Sequence, residues 1–416
     1  MSRQTEQRDV AADAPADRVV EATRRLPGLD GFRAIAAVMV LVFHVAGDTD
    51  FLRSGEPGAH VIDNFGSFGV AVFFVLSGLV IFRPFVLSGL KGTTAPHTPS
   101  FYLRRACRIF PAYWVALFAW AISSADIEHT KGTIIGKILL IDLYDPDVVW
   151  LTGLVISWTL AVEVVFYLLV PLWGWAMRAI ARRGDARGHT IRVYLVGCGL
   201  LYLSGFAYRV IIDHTASGWA TRWAVFPNFT DWFALGMLLA VLSAWRELGG
   251  AMPSWLTGFA GRPAGCWICA AACFAAIVFL KGDQLLFERH ETTGQLAWRM
   301  MFQGWAAFFF VLPVVLGDAS RASLRPFQAR PLVFVGTVSY GVYLWHRIVQ
   351  LWIGDVGSGL GSRGWMLVQL CLVLPITIAI ATVSYRIVER PFIGMAARLT
   401  SSPRVSSRGS ERLTPA

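Results

Sequence analysis

Residues 25–46 read RLPGLDGFRAIAAVMVLVFHVA, a basic, glycine-containing start that runs without a break into an apolar segment. Arg33 and His44 are eleven residues apart, so an α-helix places their side chains within about 20° of each other. Asp30 lies within about 40° of the same face. Ionisable groups inside a membrane are costly, so an ion pair with an imidazole about 16 Å deeper indicates a functional site. The alternative is an interfacial arginine that snorkels and a histidine bonded to a neighbouring helix.

The composition indicates a membrane protein. Hydrophobic residues make up 55% of the 416 residues, charged residues only 15%, and the mean hydropathy is +0.54. The apolar residues occur in runs of about 20, the length that crosses a bilayer core of about 30 Å. The net charge of +10 comes from basic residues that flank these runs rather than from one cluster. We therefore expect these basic residues to contact a lipid bilayer, and we expect no nucleic-acid partner.

The hydrophobic runs predict an all-α, polytopic membrane protein with about ten transmembrane helices. We expect a disordered cytoplasmic tail at 1–25, a membrane domain at 26–395 and a second disordered tail at 396–416. The first 25 residues lack the features of a signal peptide, so the first helix should be retained. The predicted spans are about 31–48, 66–87, 107–125, 155–177, 192–212, 229–245, 264–281, 297–317, 332–353 and 364–385.

The distribution of basic residues predicts the orientation. Of the 37 Lys and Arg residues, 27 fall on the side of the N-terminus and 8 on the opposite side. The positive-inside rule then places both termini in the cytoplasm. Abundant Arg, Ala and Gly beside scarce Lys suggest a bacterial source, so we expect a multi-pass protein of a bacterial plasma membrane.

Two arginines open the third predicted span on the cytoplasmic side. Arg105 and Arg108 are three residues apart, so their guanidinium groups lie on one helical flank. Guanidinium groups suit phosphate oxygens, because they are planar, permanently charged donors. An ordinary positive-inside anchor that binds lipid headgroups is the alternative.

The fourth predicted span carries one buried acid. Glu163 and Tyr167 are four residues apart on one helical face, with Thr159 one turn earlier. A carboxylate at this depth needs a partner such as a histidine or an arginine. His44 rises to a similar depth from the other side, so the two side chains are predicted to pair. Alternatively, Glu163 is a structural hydrogen-bonding group.

No metal site is predicted. Cys266, Cys269 and Cys273 share one helical face, but no histidine or carboxylate joins them on that span. Small, soft side chains at this spacing are typical of helix packing.

Five motifs occur in an order that resembles the acyltransferase-3 family of integral-membrane O-acyltransferases. They are LDGFR at 29–33 with His44 after ten intervening residues, RACRIFPAY at 105–113, SWTLAVE at 157–163, SYGVYLWH at 339–346 and VERPF at 388–392. Two positions depart from the family pattern: Val164 stands where a second acid is common, and Arg347 and Val349 follow His346 where an aromatic residue and a proline are usual.

The resemblance implies transfer of an acyl group, such as acetyl, from acyl-CoA to a hydroxyl of a glycan, a glycolipid or a related natural product. Acyl-CoA is then a co-substrate, and no cofactor is expected. The resemblance assigns catalysis to His44 and Glu163. It assigns substrate binding to Asp30, Arg33, Arg105, Arg108, Trp158, Tyr167, His346 and Glu389.

The same chemistry follows from the residue types. A neutral imidazole at His44 can remove a proton from an acceptor hydroxyl or carry the acyl group itself. Glu163 can orient that imidazole, as the third group of a catalytic triad does. Arg33, Arg105 and Arg108 can hold the phosphates of coenzyme A.

Two other function classes fit the sequence less well than an acyltransferase. A transporter or flippase for an anionic lipid-linked substrate uses similar charges, but the sequence shows no internal repeat. A membrane glycosyltransferase would need an acidic motif in a large loop, whereas the outer loops at about 126–154 and 282–296 are modest.

Overall fold

A computed structural model shows helices in every regular element that it describes, which confirms the all-α class. The predicted tail at 1–25 lies outside the described residues, as do residues 401–416 of the tail predicted at 396–416. Most of the predicted outer loops at about 126–154 and 282–296 also lies outside them. The described residues are 26, 28–124, 131–141, 154–184, 187–215, 224–281, 292–318 and 321–400.

The helices are numbered in chain order. They are α1 Leu29–Asp48, α2 Ala59–Asp63, α3 Phe65–Lys91, α4 Thr98–Ser123, α5 Lys131–Leu139, α6 Ser157–Ala181, α7 Arg187–Thr215, α8 Thr230–Glu247, α9 Ser254–Ala260, α10 Pro263–Lys281, α11 Thr293–Leu316, α12 Arg330–Thr337, α13 Ser339–Ile353, α14 Gly361–Ser384 and α15 Arg390–Thr400. A π-helical turn, Tyr385–Glu389, joins α14 to α15. The domain boundary predicted at 395 therefore falls inside a helix, and residues 396–400 are helical.

The predicted spans agree with the helices in number and order. Eight helical segments of the described chain are long and apolar enough to cross a membrane, or ten if each of two bent pairs is one span. One pair is α9 with α10, bent by 83°, and the other is α12 with α13, bent by 72°. The ninth span, predicted as continuous over 332–353, is thus broken at Val338.

The two opposite ends of the helical bundle differ in charge. The basic face is the end where α1 begins and α3 ends, near Lys91 and Arg104. The acidic face is the end where α1 ends and α3 begins, near Asp48 and Glu56. The sequence predicts that the basic face is cytoplasmic.

Helices α3 and α8 pack closely at the centre of the bundle. A Cβ atom on Gly78 would lie 2.3 Å from the carbonyl oxygen of Phe233, and one on Gly236 would lie 2.0 Å from that of Val75. Glycines let the two backbones touch, as is common between membrane helices. This contact holds α3, which lines the site, at a fixed depth in the bundle.

Candidate active site

A cavity of about 120 Å³ lies between α1, α3, α4, α6 and α13. It gathers five of the residues predicted for the site: Arg33, Arg105, Arg108, Glu163 and Tyr167. The sequence places these residues on three different helices, so their convergence is a result of the fold. We call this space the central cavity.

The start of α1 is fixed by two close backbone contacts, which position Asp30 and Arg33. A Cβ atom on Gly31 would lie 2.2 Å from the carbonyl oxygen of Phe327, and one on Gly336 would lie 1.8 Å from that of Asp30. The glycine of the LDGFR motif is therefore needed for packing. Asp30 does not line the cavity; its carboxylate lies 3.4 Å from a guanidinium nitrogen of Arg33.

The three arginines of the central cavity leave donor groups available. Arg105 donates no hydrogen bond to any described residue, and its guanidinium lies over the rings of Phe101 and Tyr167, 5.8 and 5.6 Å from their centroids. Arg108 lies 3.8 Å from the buried carboxylate of Glu389. Glu389 is thus behind Arg108 rather than on the cavity wall. Arg33 and Arg108 each have a carboxylate partner, whereas Arg105 has none among the described residues. Arg105 is therefore the arginine of this cavity best placed to bind an anionic ligand.

Glu163 is held by hydroxyl groups. Its Oε1 atom accepts hydrogen bonds from the Tyr167 hydroxyl at 2.6 Å and from the Ser77 hydroxyl at 2.5 Å. It shares no hydrogen bond with His44 in the described chain. The predicted His44–Glu163 pair is therefore wrong, because the carboxylate faces the central cavity and its hydrogen bonds come from α3 and α6.

His44 instead pairs with His346. The Nδ1 atom of His44 lies 2.9 Å from the carbonyl oxygen of Val40 and 3.1 Å from Nε2 of His346. The Nδ1 atom of His346 lies 3.2 Å from the carbonyl oxygen of Val342. A carbonyl oxygen only accepts, so both Nδ1 atoms carry the proton and His346 Nε2 is an acceptor. In the neutral form of His44, this assignment leaves the lone pair of Nε2 unused.

Tyr343 connects the imidazole pair to the central cavity. Its side chain lines the cavity, its hydroxyl lies 2.8 Å from that of Thr159, and its ring stands edge-on to His346 with centroids 5.9 Å apart. His346 is buried, whereas His44 is only partly covered. Of the two imidazoles, His44 is therefore the more accessible.

Sequence reasoning missed several residues of the cavity, among them Tyr340, Tyr343 and Ser77. Tyr340 and Tyr343 stand inside the SYGVYLWH motif, which was a usable signal for both. Ser77 lies in the apolar run of α3 and carried no signal. Trp158, in contrast, was predicted to bind substrate but does not line the cavity; its ring lies 5.4 Å from that of Phe229.

A second, larger cavity of about 510 Å³ lies at the basic face. Its basic residues are Arg83, Lys91, Arg104 and Arg105. Arg105 also lines the central cavity, so the two spaces share one guanidinium. We call this space the basic cavity.

The described residues include no group of three or more His, Cys, Asp or Glu side chains that could hold a metal ion. The arrangement combines a cavity lined by three arginines with a pair of imidazoles.

Comparison with known proteins identifies the family of this chain. A family model described as an acyltransferase domain, the acyltransferase-3 model, matches residues 26–386. The chain belongs to the acyltransferase-3 family. The membrane domain is an acyltransferase domain, as the five motifs implied. No solved structure matches the chain significantly.

Three relatives illustrate the family. A protein of Staphylococcus aureus (strain COL), named as a candidate O-acetyltransferase, is 25% identical over 89% of this chain and 57% of its own length. The peptidoglycan O-acetyltransferase OatA of Listeria monocytogenes is 23% identical over 88% of this chain and 55% of its own. The acyltransferase MdmB of Streptomyces mycarofaciens is 31% identical over 38% of this chain and 42% of its own. The chain thus spans little more than half the length of the first two.

Proposed function

We propose that this protein is a membrane-bound O-acyltransferase that moves an acyl group, such as acetyl, from acyl-CoA to a hydroxyl of a glycan or a related natural product. One observation carries the proposal: a cavity lined by three arginines and a pair of imidazoles meet at Tyr343. The names of the relatives from Staphylococcus and Listeria support acetyl as the acyl group. The Listeria name supports a glycan acceptor.

The donor is proposed to enter from the basic face. The basic cavity is large and cationic, and it shares Arg105 with the central cavity. Phosphate groups of coenzyme A in the basic cavity would lie next to Arg105, with the thioester arm directed toward Glu163 and Tyr167. Hydrogen bonds from arginine to phosphate are charge-assisted, and planar guanidinium groups form them in pairs.

The chemical step is proposed to use His44 as the base. Its Nε2 atom takes the proton of the acceptor hydroxyl while the hydroxyl oxygen attacks the thioester carbonyl carbon. The C–S bond then breaks, and the thiolate of coenzyme A receives the proton from the imidazolium. His346 accepts the hydrogen bond from His44 Nδ1–H and stabilises the positive charge that forms on His44. In this mechanism His346 replaces the carboxylate of a triad as the orienting group.

The experiment is a transfer assay with the purified full chain in lipid nanodiscs. Acetyl-CoA labelled in the acetyl group is supplied with a bacterial cell-envelope glycan fraction, and base-labile label in the glycan is counted. The wild-type protein should transfer label with stoichiometric release of coenzyme A, and His44→Ala should not. If the folded protein releases no coenzyme A with any hydroxyl acceptor, the proposal is contradicted.

A further inference from the structure

A third cavity, of about 230 Å³, opens at the acidic face between α1, α4, α13 and α14. Its polar and aromatic lining includes Asp48, Trp120, Arg347, Gln350, Trp365 and Gln369. It shares no residue with the central cavity or the basic cavity. We call it the outer cavity.

The outer cavity lies one helical turn beyond the imidazole pair. On α1, Asp48 follows His44 by four residues, and on α13, Gln350 follows His346 by four residues. Four residues of α-helix rise about 6 Å. The cavity is therefore next to the reacting imidazoles, on the side opposite to the proposed entry of the donor.

Two tryptophans of the outer cavity have unused donors. The indole N–H groups of Trp120 and Trp365 are buried and have no hydrogen-bond partner among the described protein groups. A buried tryptophan N–H usually finds a partner, because leaving it unpaired is unfavourable. Both rings therefore provide apolar surface beside an N–H donor that the described protein groups leave unpaired.

The charges of the outer cavity differ from those of the central cavity. Arg347 forms an ion pair with Asp48, and Gln350 donates to the same carboxylate at 3.2 Å. Gln369 donates to the carbonyl oxygen of Gly354 at 2.7 Å. The arginine is therefore already compensated, and Asp355 adds a second carboxylate to the lining. This lining favours a neutral, hydroxyl-rich ligand over a phosphate. Apolar rings combined with a few fixed polar groups are typical of small-ligand sites.

We propose that the outer cavity binds a neutral sugar ring of the acyl acceptor and presents one of its hydroxyls to His44. The proposal rests on the proposed function, because it treats the imidazole pair as the reacting centre. It also assigns the two substrates to opposite ends of the bundle: the acyl donor at the basic face and the acceptor sugar at the acidic face.

The test measures binding of a neutral glycan, chitotetraose, to the full chain in nanodiscs by calorimetry without acyl donor. The variants are Trp120→Phe, Trp365→Phe and the double variant, which keep an aromatic ring and remove the N–H donors. The matched control is Trp173→Phe on α6, because this indole N–H is also buried without a partner but does not line the outer cavity.

We expect chitotetraose to bind the wild-type protein and the control alike, and the double variant about tenfold or more weakly, since two neutral hydrogen bonds are lost. Binding of acetyl-CoA should be the same in all five proteins. Equal glycan binding by the double variant and the wild type, or no glycan binding by the wild type, would overturn the proposal. Glycan binding that depends on the two tryptophans, without acetyl transfer to any hydroxyl, would support the site and contradict the proposed enzymatic function instead.

Discussion

The Nε2 atom of His346 lies 3.1 Å from Nδ1 of His44, although 302 residues separate the two histidines in the chain. The bend at Val338 allows both α12 and α13 to pack against α1, so that His346 meets His44 from a neighbouring helix. Because each Nδ1–H also faces a backbone carbonyl, the pair has one consistent protonation pattern. The two histidines should therefore differ in their effect on catalysis.

Replacement of His44 by alanine should reduce acyl transfer by a factor of about 10²–10⁴, the usual contribution of a general base. The donor KM should change little, since His44 does not line the central or the basic cavity. The measurement is kcat and KM for acetyl-CoA with nanodisc-reconstituted protein, with circular dichroism as a check on folding. Near-normal turnover by His44→Ala would move the base to another residue.

Replacement of His346 should have a smaller, rescuable effect. His346→Ala removes the acceptor for His44 Nδ1–H, a hydrogen bond that becomes charge-assisted when His44 is protonated, so turnover should fall about ten- to hundredfold. His346→Gln supplies an amide oxygen as acceptor and should recover part of this loss. Equal damage by both variants would indicate that the imidazole of His346 itself reacts.

The effects of Glu163 and His346 should be independent, because the structure places them in separate hydrogen-bond groups. Glu163→Gln should raise the donor KM, since Tyr167 and Ser77 lose a charged acceptor beside Arg105. The free-energy effects of Glu163→Gln and His346→Gln on kcat/KM should then add within about 0.5 kcal/mol. A strong coupling in this double-mutant cycle would show that Glu163 acts on the imidazole pair, as the predicted pairing of Glu163 with His44 required.

Arg105 should contribute to donor binding through its guanidinium. Arg105→Ala should raise the donor KM about ten- to hundredfold, because a charge-assisted hydrogen bond is worth roughly 1.5–3 kcal/mol. Arg105→Lys should recover only part of the affinity, since lysine lacks the planar fork. The control is Arg182→Ala, an exposed arginine at the end of α6 that lines neither cavity. If the two alanine variants lose affinity equally, the effect is general surface charge.

The sequence predicted the helical class and the charged residues of the central cavity for a physical reason. Spans of about 20 apolar residues dominate the pattern, and residues such as Glu163 and Tyr167 share a face through local helical geometry. The partners of His44 depend on long-range packing instead. The bend at Val338 occurs inside a continuous apolar run, so hydropathy gave no sign of it. Ser77 likewise gained its role only when α3 packed against α6.

Helix α12 makes a close backbone contact with α1. A Cβ atom on Gly336 would lie 1.8 Å from the carbonyl oxygen of Asp30, which is backbone and cannot rotate away. Gly336→Ala should therefore push α12 from the start of α1, destabilise the protein by roughly 1–3 kcal/mol and impair donor binding through Arg33.

The matched control is Gly394→Ala in α15, where a Cβ atom meets no atom within 4 Å. Alanine favours helices over glycine by up to about 1 kcal/mol, so this variant should be neutral or slightly stabilising. Heat-induced loss of the monodisperse peak in size-exclusion chromatography measures stability, and KM for acetyl-CoA measures the site. If Gly336→Ala is as stable and active as Gly394→Ala, α12 does not pack tightly against α1. The bend at Val338 would then not be what brings His346 to His44.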